Sequence, residues 1–538
     1  MILVLALASM WPQPLAPVRS LAASALTAAV PLAIVLVLMG VLRKSSLLAS
    51  VCGLGAAGAL AIFVWHMPPV LAAWSTIFGC VYAAWPIMWI VFCALWLYNL
   101  TVAAGKFDML RHWMERHVSN DRCIQAIVVA FCFGALLEGT AGFGSPVAVC
   151  AFLLVGLGFD ARQAIVVSLI ADTAPVAFGA LGIPIVALAG VTGLDTQKLS
   201  SMVGRQLPFM SFIIPFYLVG VVAGVKGLKR TWPAALVAGG SFAGAQFFVS
   251  NFWGPYTADI IAAAGSIAVT VAFLRIWKPK EMADAQQAEA QGEKLSFGNM
   301  VLAWLPWILL AVVTVAWSYL KLQPMGQIVF AIPHLHKGVL ITLYNQPYSA
   351  LYTFQPLAAG TAALTAAVIT AICYRARPGV FAKCGWTTLR QLRLPGLTVI
   401  VIVGLAYLYN YSGMAYTLGA AVARAGRIFP LLSSYLGWVA CFLSGSDTSS
   451  NVLFGNLQVA AAHQLHLSPV LMAATNSSGA VAGKMISPQN IAVGVTTVGL
   501  IAQEGKVLRS TFWHSVVFAA LVGVLAYAQA YWIPWMVP

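Results

Sequence analysis

The stretch FCFGALLEGTAGFGSPVAVC, residues 131–150, decides the fold. Apolar residues flank a polar, glycine-rich break that carries one acid, Glu138. A second stretch of the same kind, FLSGSDTSSNVLFG, spans 442–455 and carries Asp447. The apolar runs beside these breaks, 124–137 with 146–158 and 431–443 with 452–462, fall short of the ~20 residues that cross a bilayer. A short run, a polar break and a second short run predict a re-entrant hairpin, since irregular backbone inside a membrane survives only where protein or a cavity surrounds it.

Outward from the hairpins the chain reads as membrane throughout. Of 538 residues, 61% are hydrophobic and 8% are charged, against about 25% charged in soluble domains. This excludes a soluble fold and intrinsic disorder. Further apolar segments lie at 22–42, 45–65, 70–103, 163–190, 207–225, 233–251, 258–276, 299–320, 349–373, 396–418, 468–502 and 513–536. The expected fold is an all-α polytopic membrane protein with about twelve transmembrane helices plus the two hairpins.

The formal net charge of +15 comes from 29 Lys and Arg against 14 acids. The basic residues gather in short loops that alternate in side, such as 105–122, 226–230 and 375–393. The positive-inside rule makes these loops cytoplasmic, and Arg424 and Arg427 run against it. A nucleic-acid partner is not implied. The nine cysteines form no CxxC pair and no Cys/His cluster. No metal site and no cofactor are expected, and His334, His336, His463 and His466 read as surface or interfacial.

The halves resemble each other at their breaks. ADTAPVAFGALGIP follows the first hairpin and TNSSGAVAGKMISP follows the second. An offset of 304 takes Asp172 to Asn476, Thr173 to Ser477, Gly179 to Gly483 and Pro184 to Pro488. The expected organisation is an N-terminal half, 1–276, with a hairpin at 124–158 and an interrupted helix at 163–190. A polar cytoplasmic linker follows at 277–298. The C-terminal half, 299–538, holds an inverted repeat with a hairpin at 431–462 and an interrupted helix at 468–502. Interrupted segments in corresponding positions of two halves point to a transporter binding site.

Charge within the membrane narrows that site. Glu138, Asp172, Asp447 and Lys484 lie at the breaks, and each costs about 2.5–3.5 kcal/mol on insertion scales. Glu138, Asp172 and Asp447 are candidate proton carriers. Lys484 and the half-helix N-termini suit an anion. Gly139 marks the first break, and Thr140, Ser145, Thr173, Ser446, Thr448, Ser449, Ser450, Ser477 and Ser478 offer hydroxyls. Asn451, Asn476 and Gln489 offer amides. This inventory suits a small hydroxylated anion. Sodium coupling is the alternative, through hairpin carbonyls with Asp447 and Asn476; an intramembrane enzyme using paired carboxylates is the other.

At FCFGALLEGTAGFGSPVA, TAPVAFGALGIPI, VGRQLPFM, GSDTSSNVLF and GKMISPQNIA the sequence resembles the lactate permease family, which includes L-lactate and glycolate permeases. The resemblance runs from about residue 20 to the C-terminus. It implies a multi-pass transporter of a bacterial inner membrane and no enzyme. Such a transporter would move L-lactate, D-lactate, glycolate or a related 2-hydroxymonocarboxylate inward with a proton. Its partners would be that substrate, the proton and the lipid bilayer; no oligomeric state is implied. The first interrupted motif generally reads NTAPVAFG in the family, whereas this chain has Asp172.

Overall fold

A computed structural model describes residues 10–42, 44–109, 121–140, 142, 145–277, 297–500 and 503–538. Of the linker expected at 277–298, residues 278–296 lie outside them, as do Ala141, Phe143, Gly144 and the side chain of Ser145. The fold is helical. Among the described residues, 10 helices are long and apolar enough to cross a membrane, or up to 11 when the bent pair Ala161–Ala171 and Val176–Thr192 is one span.

The first helices are α1 (Leu21–Leu36), α2 (Ser46–Phe63), α3 (Pro69–Tyr82) and α4 (Trp89–Ala103). Ser20 and Ser45 cap α1 and α2 by accepting from backbone N–H groups three residues on, which satisfies donors a helix start leaves free. Helices α5 (Arg122–Thr140) and α6 (Ser145–Gly156) fold back on each other. The Cys150 thiol reaches Val129 O at 3.3 Å, and Arg122 Nη2 reaches Gly158 O at 3.0 Å. The first arm runs 19 residues, longer than the apolar run 124–137, because the helix continues through Glu138, Gly139 and Thr140.

Helices α7 (Ala161–Ala171) and α8 (Gly179–Thr192) form the bent pair, at 64°. Inside α8 the backbone turns left-handed at Ala180, Leu181 and Gly182, with φ of 44°, 61° and 70°. The short α9 (Thr196–Val203) leads into α10 (Leu207–Phe252). This 46-residue element reverses at Gly224, φ 61°. Its arms lie side by side, since Ser211 Oγ donates to Gln246 Oε1 at 2.8 Å. The two apolar segments 207–225 and 233–251 are therefore the arms of one reversal. Then follow α11 (Ala258–Ile276) and α12 (Phe297–Tyr319).

The segment expected as a membrane span at 349–373 departs from that reading. Strands β2 (Ile328–Ala331) and β5 (Leu351–Phe354) pair antiparallel. Strand β3 (Val339–Ile341) pairs in parallel with β1 (Trp11–Pro12) and antiparallel with β4 (Gln346–Pro347). Helix α13 (Ala359–Cys373) starts only after Pro356, and it has 15 residues. Apolar content hid the strands, because hydropathy does not distinguish a strand cap from the start of a helix.

The basic loop expected at 375–393 is also helical. It forms the first half of α14 (Pro378–Ser412), where Pro378 occupies the first turn, a position that needs no N–H. Next come α15 (Met414–Val422), α16 (Phe429–Ser444), α17 (Asp447–Gln464), α18 (Pro469–Lys484), α19 (Pro488–Thr497) and α20 (Glu504–Tyr531). Helices α16 and α17 form the second reversal. Ser433 Oγ donates to Gln458 Oε1 at 2.8 Å and Ser450 Oγ donates to Gly437 O at 2.9 Å.

Helix α18 lies in backbone contact with α16. A Cβ on Gly437 would stand 2.0 Å from Asn476 O, and one on Gly479 would stand 2.1 Å from Ser434 O. Small residues permit this approach, which is how helices gain packing where lipid supplies no hydrophobic drive. Helices α3 and α14 bond α8: Tyr82 Oη donates to Val186 O at 3.5 Å, Tyr407 Oη donates to Gly190 O at 3.0 Å and Asn410 Nδ2 donates to Val191 O at 2.9 Å.

Candidate functional site

A cavity of about 490 Å³ lies where the two reversals and the broken helix meet. Buried Glu138 and Lys484 line its inner part, and exposed Ser45, Leu394 and Pro395 line its other end. Three helix starts converge on it. They are the part of α8 after the left-handed turn, the N-terminus of α17 at Ser446–Ser449, and the N-terminus of α19 at Gln489 and Asn490. Each presents the positive end of a helix dipole.

The local sequence accounts for these placements. Gly445, with φ 71°, ends α16, and Ser446 caps α17 by accepting from Ser449 N at 3.3 Å. A Cβ on Gly445 would stand 2.4 Å from Gln489 Oε1, so α19 can press against the turn only because position 445 is glycine. Ser487 caps α19, and Pro488 occupies its first turn. In the other half, a Cβ on Gly179 would stand 2.6 Å from Glu138 Oε1. The broken helix thus rests directly on the hairpin acid.

Lys484 joins the two halves. Its Nζ lies 2.7 Å from Glu138 Oε1 and 3.0 Å from Asp172 Oδ2. All three side chains are buried, and Glu138 Oε2 and Asp172 Oδ1 have no hydrogen-bond partner. Asp447 Oδ2 accepts from Ser477 Oγ at 2.8 Å, while its Oδ1 has no partner. Asp447 lines the cavity, whereas Asp172 stands behind Lys484.

Of the residues expected at the site, some line the cavity and others do not. Glu138, Ser446, Asp447, Thr448, Ser449, Lys484 and Gln489 line the cavity. Ser450, Asn451, Asn476 and Ser477 lie behind its wall, because their polar atoms engage one another. Asn476 Nδ2 donates to Asn451 Oδ1 at 3.0 Å, Asn451 Nδ2 donates to Ser477 Oγ at 3.0 Å, and Gln458 Nε2 donates to Asn476 Oδ1 at 3.2 Å. These bonds brace the second reversal against α18.

Thr140 and Thr173 turn back onto their own helices, donating to Leu136 O at 2.8 Å and Leu169 O at 3.4 Å. Ser478 is buried and its Oγ has no partner. Gly139 packs on another element, since its missing Cβ would stand 3.0 Å from Asp259 Cβ.

Asp259 is the buried acid that sequence reasoning missed. It is 1% exposed, in the first turn of α11. It is the second residue of the expected span 258–276, directly after the outer loop 252–257, and at such an edge no local signal separates a buried acid from a solvated one. Asn490 was missed as well; its Nδ2 donates to Gly445 O at 3.3 Å and steadies the turn. Among the described residues no group of three His, Cys, Asp or Glu could hold a metal ion.

Comparison with known proteins finds relatives along nearly the whole chain. The family model described as L-lactate permease matches residues 24–533. The glycolate permease GlcA of Escherichia coli K12 is 42% identical, covering 97% of this chain and 98% of that protein. The L-lactate permease of Bacillus subtilis 168 is 41% identical, covering 98% and 100%. That of Salmonella typhimurium LT2 is 39% identical, also covering 98% and 100%. Among solved structures, the YdaH transporter of Alcanivorax borkumensis covers 82% of this chain at 15% identity, with a TM-score of 0.45. The matching relatives are permeases and not enzymes, and the chain, a multi-pass membrane protein, belongs to the L-lactate permease family.

Proposed function

We propose that this protein carries lactate, glycolate and related 2-hydroxymonocarboxylates across a bacterial inner membrane by proton symport. The observation that carries this reading is Lys484 in the cavity beneath three converging helix starts. A carboxylate fits between an ammonium and helix N-termini. Ser446, Thr448, Ser449 and Gln489 line the same space, and hydroxyl and amide groups suit a neighbouring 2-hydroxyl group. The relatives named as L-lactate and glycolate permeases support the substrate class.

The buried acids support the proton. Moving one negative charge inward alone is opposed by about 2.3 kcal/mol per 100 mV. A proton bound at Glu138, Asp172 or Asp447 cancels that charge. The exposed end of the cavity lies beside Lys44 and Arg393, so by the positive-inside rule it opens to the cytoplasm.

The two units, α5 to α8 and α16 to α19, act in this reading as inverted repeats with re-entrant hairpins, and the cavity forms at their contact. Uptake into proteoliposomes tests the reading, with L-lactate, D-lactate and glycolate competing. Accumulation driven by an inward pH gradient is expected. Accumulation that follows a sodium gradient and ignores pH would replace the proton with sodium.

A further inference from the structure

Five charged side chains are buried among the described residues: Glu138, Asp172, Asp259, Asp447 and the single base Lys484. Glu138 and Asp172 share that base. Asp447 faces the cavity and accepts from Ser477. Asp259 has neither advantage. Its one hydrogen-bond partner is neutral, Gln246 Nε2 at 3.3 Å from Oδ1, and its Oδ2 has none. Elsewhere in the described residues no base reaches it within ion-pair distance.

An ionised carboxylate at such a place bears a desolvation cost that nothing nearby offsets. The start of α11 favours negative charge, but a helix dipole does not replace the missing counter-ion. Binding a proton removes the charge and gives Oδ2 a hydrogen to donate. The charged groups within electrostatic reach of Asp259, across the elements packed on it, are Glu138 on α5, Asp172 at the end of α7 and Lys484 on α18. Three residues before it, ahead of α11, stands the half-buried Tyr256.

Asp259 also contacts both the first hairpin and the broken helix. Gln246 Nε2 bonds both Asp259 Oδ1 and, at 3.1 Å, Ala174 O in the break between α7 and α8. Gly139, next to Glu138, packs against the Asp259 Cβ. A charge on Asp259 therefore acts on the hairpin and on the broken helix together.

We propose that Asp259 is a proton-binding site of the transporter, set behind the first hairpin and outside the substrate cavity. The inference rests on the proton-symport reading. A proton adds to Asp259 Oδ2 from the outer side and leaves to the cytoplasmic side with the substrate. With Asp259 neutral, one negative charge fewer surrounds Lys484, and the pocket accepts the substrate anion. With Asp259 ionised, the anion is repelled. Substrate and proton thereby favour each other's binding, as symport requires.

The test uses Asp259→Asn in proteoliposomes beside the wild type, with lactate as probe. The wild type must first show accumulation driven by a pH gradient; its absence overturns the symport reading and this inference with it. Given that result, D259N is expected to lose at least tenfold of pH-driven accumulation while lactate exchange across the membrane persists. Infrared difference spectra on lactate binding should lose a protonated-carboxyl band in D259N. Full pH-driven accumulation by D259N overturns the inference and leaves symport standing. Loss of exchange together with an unchanged carboxyl band also overturns it, and assigns Asp259 a structural role.

Discussion

At the scale of the residue, Lys484 is the one buried base among the described residues and the group that ties the site together. It stands against Glu138 and Asp172 at 2.7 and 3.0 Å in a buried setting. Removing one partner of a buried pair costs about 3–5 kcal/mol, because the charge left behind has no water. Lys484→Ala should lower stability by that order and abolish saturable lactate uptake. Thermal unfolding in detergent and proteoliposome uptake check the two parts, and unchanged stability would show that the pair carries no net weight. Asp172→Asn should behave differently. The Glu138 contact remains, and one carboxylate that competes with the substrate for Lys484 is gone. Transport should continue with a lower KM for lactate; a raised KM would place Asp172 among the groups that bind the substrate's proton.

At the scale of the element, the turns position the chemistry. Gly445 adopts φ 71° and leaves room for Gln489. A side chain there meets both the left-handed backbone, a cost of roughly 1–2 kcal/mol, and the Gln489 amide. Gly445→Ala should reduce uptake more than tenfold while α16 and α17 stay folded, which circular dichroism and uptake can separate. Retained uptake would mean that the turn tolerates movement. These turns were legible in the sequence, because polar, glycine-rich strings within apolar runs leave few alternatives. The bracing bonds behind them were not. Nothing local tells Ser449, on the cavity wall, from Asn451, two residues on and behind it. Helix periodicity sets that difference only once the neighbouring helices are in place.

At the scale of the whole molecule, the cavity ends at exposed Ser45, Leu394 and Pro395 beside basic residues, while Tyr407 and Asn410 bond the last turn of α8. In a background without the exposed Cys52 and Cys373, Ser46→Cys should react with a membrane-impermeant thiol reagent from the cytoplasmic face alone. Saturating lactate should slow that reaction. Labelling from the outside instead would reverse the orientation of the cavity.

The sequence by itself determined that this chain lives in lipid, where its backbone breaks lie, and which four charges mark them. It could do so because charge is costly in hydrocarbon and so is scarce there. Only the tertiary structure decided that Lys484 bridges the two halves, that strands precede α13, and that Asp259 is buried instead of solvated. Those outcomes depend on which surfaces meet across hundreds of residues. An acid two residues past a loop has the same local signature whether water or a hairpin tip covers it.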